Sequence, residues 1–374
     1  MLKITQLGDN SSVNRLVQLW AERYVPDLSI LSEKVNLLNF CELVEAASPD
    51  GRTRTVAKLQ RMVEINCKCA GIQTIVIFSY IPNVVSLTEG QGIAKAAAQV
   101  YQQILNIYQE QSISPALLET WQQQKTVDLS TEALNSSIMP KLNVSQVKQL
   151  ATTLEPLLMQ FQQQHLSASD RRSIGFMSTQ FHLTSKLLLD RLTLPEQLLL
   201  SPYFKFVEEQ VCIPWQRVCA AVANHNLRSP IFALVEQLLP ASQEIAKRVY
   251  DQAVQLYPHH SSRRGGLNKP QVRASSIRDI EIFQGYLWLC ALEGSMMAVE
   301  QELLPLCLMV FPSIDVAWEL VEQLLKLLTA EIQTRLSPAQ MNRLLPYTQG
   351  MQQLFANAET KAAKDGKSYS LLVR

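Results

Sequence analysis

Along most of this chain apolar residues recur every three or four positions, the spacing that gives a helix one buried face. In the first third the pattern covers residues 13–24, 28–47 and 55–69. One run then departs from it. Gln73-Thr74-Ile75-Val76-Ile77-Phe78-Ser79-Tyr80-Ile81 is short, β-branched and aromatic, entered through Gly71 and closed by Pro82-Asn83, which predicts a strand. Residues 2–7 supply a second candidate strand, and an Ala-rich helix is predicted over 93–109 after Gly90 and Gly92. Together these segments predict a small α/β or α-rich domain over residues 1–125, with at most a few strands.

The Gln-rich stretch around Gln122-Gln123-Gln124, closing at Met139-Pro140, marks a connector bounded at 126–142. Beyond it the helical period is almost unbroken, over 144–164, 170–192, 202–226, 230–257, 275–297, 300–311, 314–336 and 338–360. Ser201-Pro202, Ser229-Pro230 and Ser337-Pro338 punctuate these runs. A serine hydroxyl can cap an orphan amide, and proline in the first turn loses no hydrogen bond, so each pair predicts a helix start. Pro214 and Pro240 fall inside two of the runs and are expected to split them. The fold class is therefore mainly α: a multi-helix bundle domain over 143–362, preceded by the smaller N-terminal domain and followed by a polar tail over 363–374.

Composition narrows the function classes. A 47% hydrophobic and 18% charged chain has enough apolar residues for a core and excludes wholesale disorder. Seven cysteines, an odd number set mostly among apolar neighbours, read as buried free thiols in a reducing compartment. The most hydrophobic stretch, 283–310, is interrupted by Glu293, Glu300 and Glu302, so it reads as buried helix rather than a membrane span. The expected location is cytoplasmic. A net charge of +1 gives no global field for nucleic acid or anionic membrane, so electrostatic recognition has to come from a local patch.

Residues 259–276 provide one. Arg263, Arg264, Lys269 and Arg273 lie in this predicted loop, with Arg278 just inside a helix expected to begin at Ser275 or Ser276, and no acid intervenes before Asp279. Such a cluster suits phosphate, an acidic peptide or a nucleic-acid backbone. No aromatic residue is interleaved with it, which argues against single-strand stacking. A second candidate surface combines Tyr203, Phe204, Trp215 and Arg217, residue types that anchor interfaces and equally fill cores.

Motifs for chemistry are sparse. Gly90-Gln91-Gly92 precedes Lys95 where a dinucleotide fingerprint needs its third glycine, and the P-loop spacing is absent. Cys67-Lys68-Cys69 and the set Cys212, Cys219, His225 lack the four-ligand spacing of a zinc site. His182 and His225 sit on predicted helices and are the candidates for a tetrapyrrole pocket, though no haem-attachment motif occurs. Glu293, in its apolar surroundings, needs a cationic partner, and Arg278 or another residue of the basic loop is the expected one. No nucleophile elbow or His-Glu-x-x-His is present. The expected function is a non-enzymatic regulatory or assembly factor that docks another protein through the basic loop, without cofactor or metal. A nucleic-acid-binding regulator using the same loop and a ligand or tetrapyrrole sensor are the alternatives. A second copy of the chain is a further candidate partner.

Overall fold

Side chains set where the helices begin. Asn10 accepts from the amides of Ser12 and Val13 to start α1 (Ser11–Ala21). Ser48 accepts from Gly51 N to start α3 (Pro49–Gln60), which follows α2 (Phe40–Ala47) directly. α4 is Val63–Ile77 and α5 is Leu87–Gln109, the latter opened by a reciprocal capping box between Ser86 and Glu89. α6 (Val144–Ser167) and α7 (Ser173–Leu189) lead to α8 (Leu194–Cys212), where the Glu196 carboxylate accepts from Thr193 N at 2.9 Å. α9 (Trp215–Ala223), α10 (Pro230–Leu238) and α11 (Ser242–Leu256) precede a two-residue hairpin, β1 (Ser261–Ser262) with β2 (Gly265–Gly266). Then come α12 (Pro270–Glu293), a π-helical turn (Val299–Leu303), α13 (Leu304–Ser313), α14 (Trp318–Gln333) and α15 (Pro338–Lys364). The computed structural model describes residues 10–25, 40–79, 81, 85–112, 141–167, 172–212 and 215–364. Its fold is mainly α.

The expected strand over 73–81 is not a strand: residues up to Ile77 continue α4. At the helical period Cys67, Ala70, Gly71 and Thr74 make a face of small side chains, buried against α5 and α7. A Cβ on Gly71 would already lie 3.6 Å from Ala94 Cβ and from the Gln180 amide. Of the β-branched residues that suggested a strand, Val76 is turned outward at 66% exposed, Ile75 and Ile77 are half-buried against the core, and Thr74 is buried. Close helix approach, not hydrophobic alternation, decides this segment. Gly90 and Gly92 lie inside α5, whose start at Leu87 is six residues ahead of the expected one, so the glycine motif follows no strand and frames no phosphate loop. The candidate strand at 2–7 lies outside the described residues, as does the connector up to residue 140.

Proline punctuation fares unevenly. Ser229-Pro230 and Ser337-Pro338 open α10 and α15, the second with a box in which Gln340 accepts from Ser337 N at 2.9 Å. The run over 230–257 is split where Pro240 stands, between α10 and α11. The run over 202–226 is likewise divided, into α8 and α9, although Pro214 itself lies outside the described residues. Ser201-Pro202, by contrast, is internal to α8, which Thr193 and Glu196 start a full two turns earlier.

α4 packs between α5 and α7, and α8 packs on α2, α5, α6 and α7. In the second half α12 is central, against α9, α10, α11, α15 and the π turn. Its second half is apolar nearly all round, with Tyr286, Leu287, Trp288, Leu289, Cys290 and Ala291 all buried, as a helix segment enclosed by others must be. α7 meets α13, and α1 meets α9 and α10, so a single hydrophobic core runs from Val13 to Phe355. None of the helices is long and apolar enough to cross a membrane among the described residues.

Candidate functional site

Gly265 determines the shape of the basic segment. Its φ of +109° suits only glycine, and it allows Arg263 and Arg264 to form the tip of the β1–β2 hairpin. Arg263 N donates to Ile314 O at 2.9 Å, and Arg263 Nε donates to Asp315 Oδ2 at 2.9 Å, pinning the tip to the turn after α13. The Tyr250 hydroxyl donates to Leu267 O and holds the far end.

The helix expected at Ser275 or Ser276 begins at Pro270, so Arg273 and Arg278 are helical rather than in the loop. Arg273 Nη1 pairs with Asp251 Oδ1 at 2.6 Å and lies over the Tyr250 ring. Arg278 Nη2 donates to Asp279 at 3.3 Å, and its Nη1 lies 2.9 Å from His182 Nδ1 and 3.8 Å from Glu208. Three of the five cations are thus met by acids that lie far away in the linear sequence or, for Asp279, next to the arginine. Arg264 and Lys269 form no ion pair among the described residues.

Arg264 stands at the mouth of a cleft between α11, α12, the turn after α13, and α14. Ala253, Leu267, Phe283, Phe311, Leu320 and Leu328 are among its apolar walls. The polar lining consists of His260, Ser262, Arg264, Ser275, Ser276, Asp279 and the Tyr250 hydroxyl, whose proton is already engaged. The space amounts to about 850 Å³ with its open mouth included. His260 Nε2 is shielded from solvent without a hydrogen-bond partner, and burial holds the ring below its ordinary pKa. Burial and the neighbouring Arg278 charge lower the Arg264 guanidinium, against the pull of Asp279. An anion arriving at this mouth would relieve both groups.

Tyr203, Phe204 and Arg217 serve the scaffold. Tyr203 and Phe204 are buried, edge-on to Tyr108 and Tyr101 respectively, which removes them from a candidate interface. Trp215 opens α9, and Arg217 lies two residues on. Arg217, not Arg278, is the partner of Glu293: its Nε and Nη2 grip the two carboxylate oxygens at 2.5 and 2.6 Å. Its Nη1 donates to Glu302 in the π turn. His225 uses both ring nitrogens, on Ser229 Oγ and Leu292 O, each at 2.8 Å, so binding a haem iron would sacrifice one of them. His182 Nδ1 is engaged by Glu208 and Arg278. Burial tends to raise the Glu208 carboxyl, but the adjacent His182 and Arg278 charges leave it below its ordinary value. Cys67 and Cys219 are buried free thiols. No cluster of three His, Cys, Asp or Glu fit to hold a metal occurs among the described residues.

The cleft was not legible in the sequence. Its walls come from segments spread over some eighty residues, each an unremarkable apolar helix face, and only the cationic hairpin signalled the place. No family model, curated protein or solved structure matches the chain.

Proposed function

We propose that this protein is a non-enzymatic binding protein of the cell interior, a carrier or sensor whose ligand occupies the cleft under the basic hairpin. The observation that carries this reading is the coincidence of an apolar-walled concavity with an arginine that forms no ion pair among the described residues. Binding sites commonly combine apolar walls with a few convergent polar groups. The docking of an acidic partner on five free cations has weaker support, because Asp315, Asp251, Glu208 and Asp279 already meet three of them.

Titration with the neutral fluorophore N-phenyl-1-naphthylamine tests the proposal. Leu324 lines the cleft without being fully buried, so Leu324→Trp fills the space from its edge. Saturable fluorescence enhancement that Leu324→Trp abolishes, with an unchanged circular-dichroism spectrum, supports the cleft. Equal enhancement in both proteins refutes it.

Protein–protein contact keeps a separate basis. Ile65, Cys69, Ile72 and Val76, at i, i+4, i+7 and i+11, form an exposed apolar stripe along α4. A homo-oligomer built on this stripe would dissociate in Ile72→Glu, as read by sedimentation velocity. An unaltered sedimentation coefficient rules that contact out.

A further inference from the structure

The charge balance at the cleft mouth specifies its ligand more narrowly, and this inference rests on the cleft reading above. Of the cations around the hairpin, Arg263 and Arg273 are bound to Asp315 and Asp251 and are unavailable. Asp279 lines the mouth and meets Arg278 at 3.3 Å, and Arg278 also lies 3.8 Å from Glu208. Arg264 is the charged lining residue that forms no ion pair among the described residues, although Asp279 attracts it from across the mouth. Ser276, with His260 Nε2, offers neutral hydrogen-bonding groups beside it, while the Ser275 hydroxyl donates to Val272 O at 3.0 Å. A head carrying one negative charge supplies the ion pair that Arg264 lacks, whereas the second charge of a dianion would meet only neutral groups and the Asp279 carboxylate. Behind the mouth, Val272, Ile280, Phe283, Val321 and Leu325 present no polar side-chain atom. That wall rewards a hydrocarbon body and penalises a polar one.

We propose that the cleft binds an amphipathic monoanion, an aliphatic chain lying between α11, α12 and α14 with a terminal carboxylate held by Arg264 and His260. Arg264 supplies the charge-assisted hydrogen bond that separates an acid from the matching alcohol. His260 orients the carboxylate. The hairpin, fixed by Arg263 to Ile314 and Asp315, keeps Arg264 over the opening.

Isothermal titration of the full chain with decanoate, decanol and decyl phosphate tests this, using wild type, Arg264→Gln and Arg263→Gln. Decanoate is expected to bind wild type roughly ten- to a hundredfold more tightly than decanol, the range for one charged hydrogen bond. Arg264→Gln should bring decanoate down to the affinity of decanol and leave decanol unchanged. Arg263→Gln, whose charge serves Asp315, should keep at least part of the preference for the acid. Equal binding of decanoate and decanol by wild type overturns the monoanion while leaving an apolar cleft standing. A preference that survives Arg264→Gln overturns the role of Arg264, and tighter binding of decyl phosphate overturns the single charge. If none of the three binds, the cleft reading falls as well.

Discussion

Arg23 and Glu209 stand 186 residues apart in the chain and meet at 3.1 Å, with their side chains only 5% and 7% exposed. The guanidinium also lies 4.9 Å from the Trp20 ring centroid and 5.9 Å from that of Trp288, and it donates to Ser242 Oγ. Trp20 Nε1 donates to the other oxygen of Glu209, and Lys205 Nζ donates to Arg23 O. The pair therefore ties the end of α1 to α8, α11 and α12.

Removing one member leaves the other charged and buried. Arg23→Met is expected to destabilise the protein by about 3–5 kcal/mol in urea unfolding, the usual cost of stranding a buried charge. A loss under about 1 kcal/mol would mean that Glu209 finds another partner or becomes protonated without penalty.

The same pair predicts an acid transition. Burial would raise the Glu209 carboxyl, but Arg23 and Lys205 hold it below its ordinary value. A folded-state pKa below the unfolded one, about 4.3 for Glu, contributes stability that is present above that pH. The contribution is lost as pH falls through the folded value. Glu208 adds to the effect in the same direction. Unfolding free energy measured from pH 6 to pH 3 should fall steeply below about pH 4, and the slope should be shallower in Glu209→Gln. Parallel slopes would assign the acid sensitivity to other groups.

Arg217 clamps Glu293 at the end of α12 and Glu302 in the π turn, where the Tyr286 hydroxyl also donates to Glu302. Arg217→Ala removes the cation that lies between the two carboxylates. A loss of roughly 3 kcal/mol is expected, the lower end for a partly buried pair. Glu302→Gln in the Arg217→Ala background should recover part of it, since it removes one stranded charge. No recovery would show that the clamp acts through packing of the arginine stem.

Gly265 sits at φ +109°, and a Cβ there would lie 3.2 Å from Lys269 Cγ. Gly265→Ala should cost about 1–2 kcal/mol of backbone strain. The strain is confined to a two-residue hairpin, so amide exchange at Arg263 and Arg264 should accelerate while exchange in α12 stays as before. Uniform acceleration would show that the hairpin is integral to the global fold.

Thiol reactivity should divide along burial. Cys41 and Cys69 are exposed, whereas Cys67, Cys219, Cys290 and Cys307 are buried. Burial pushes the Cys67 thiol up to about 12, the Cys290 thiol to about 11, and the Cys219 thiol up as well. Iodoacetamide at pH 8 should modify Cys41 and Cys69 in the native protein and reach those four only after denaturation, as read by peptide mass spectrometry. Native labelling of Cys219 would contradict the packing of α9.

What the sequence determined by itself was local. The class of fold, the helix starts at Ser229-Pro230 and Ser337-Pro338, and the break at Pro240 depend on capping and on a proline's missing amide, interactions that span a few residues. The presence of a cationic segment at 263–264 was equally visible, because it is a matter of composition. Tertiary structure decided everything that needed a distant partner. Residues 73–77 are helical because a face of small side chains lets α4 approach α5 and α7 closely, and Gly71 shows nothing of this without its neighbours. Arg263 is neutralised by Asp315, 52 residues away, and Arg217 takes the partner that proximity in sequence had assigned to Arg278. Charges and packed surfaces interact through space, and their strength falls with separation in three dimensions. Only the folded chain determines which cations are satisfied and which one faces an open cleft.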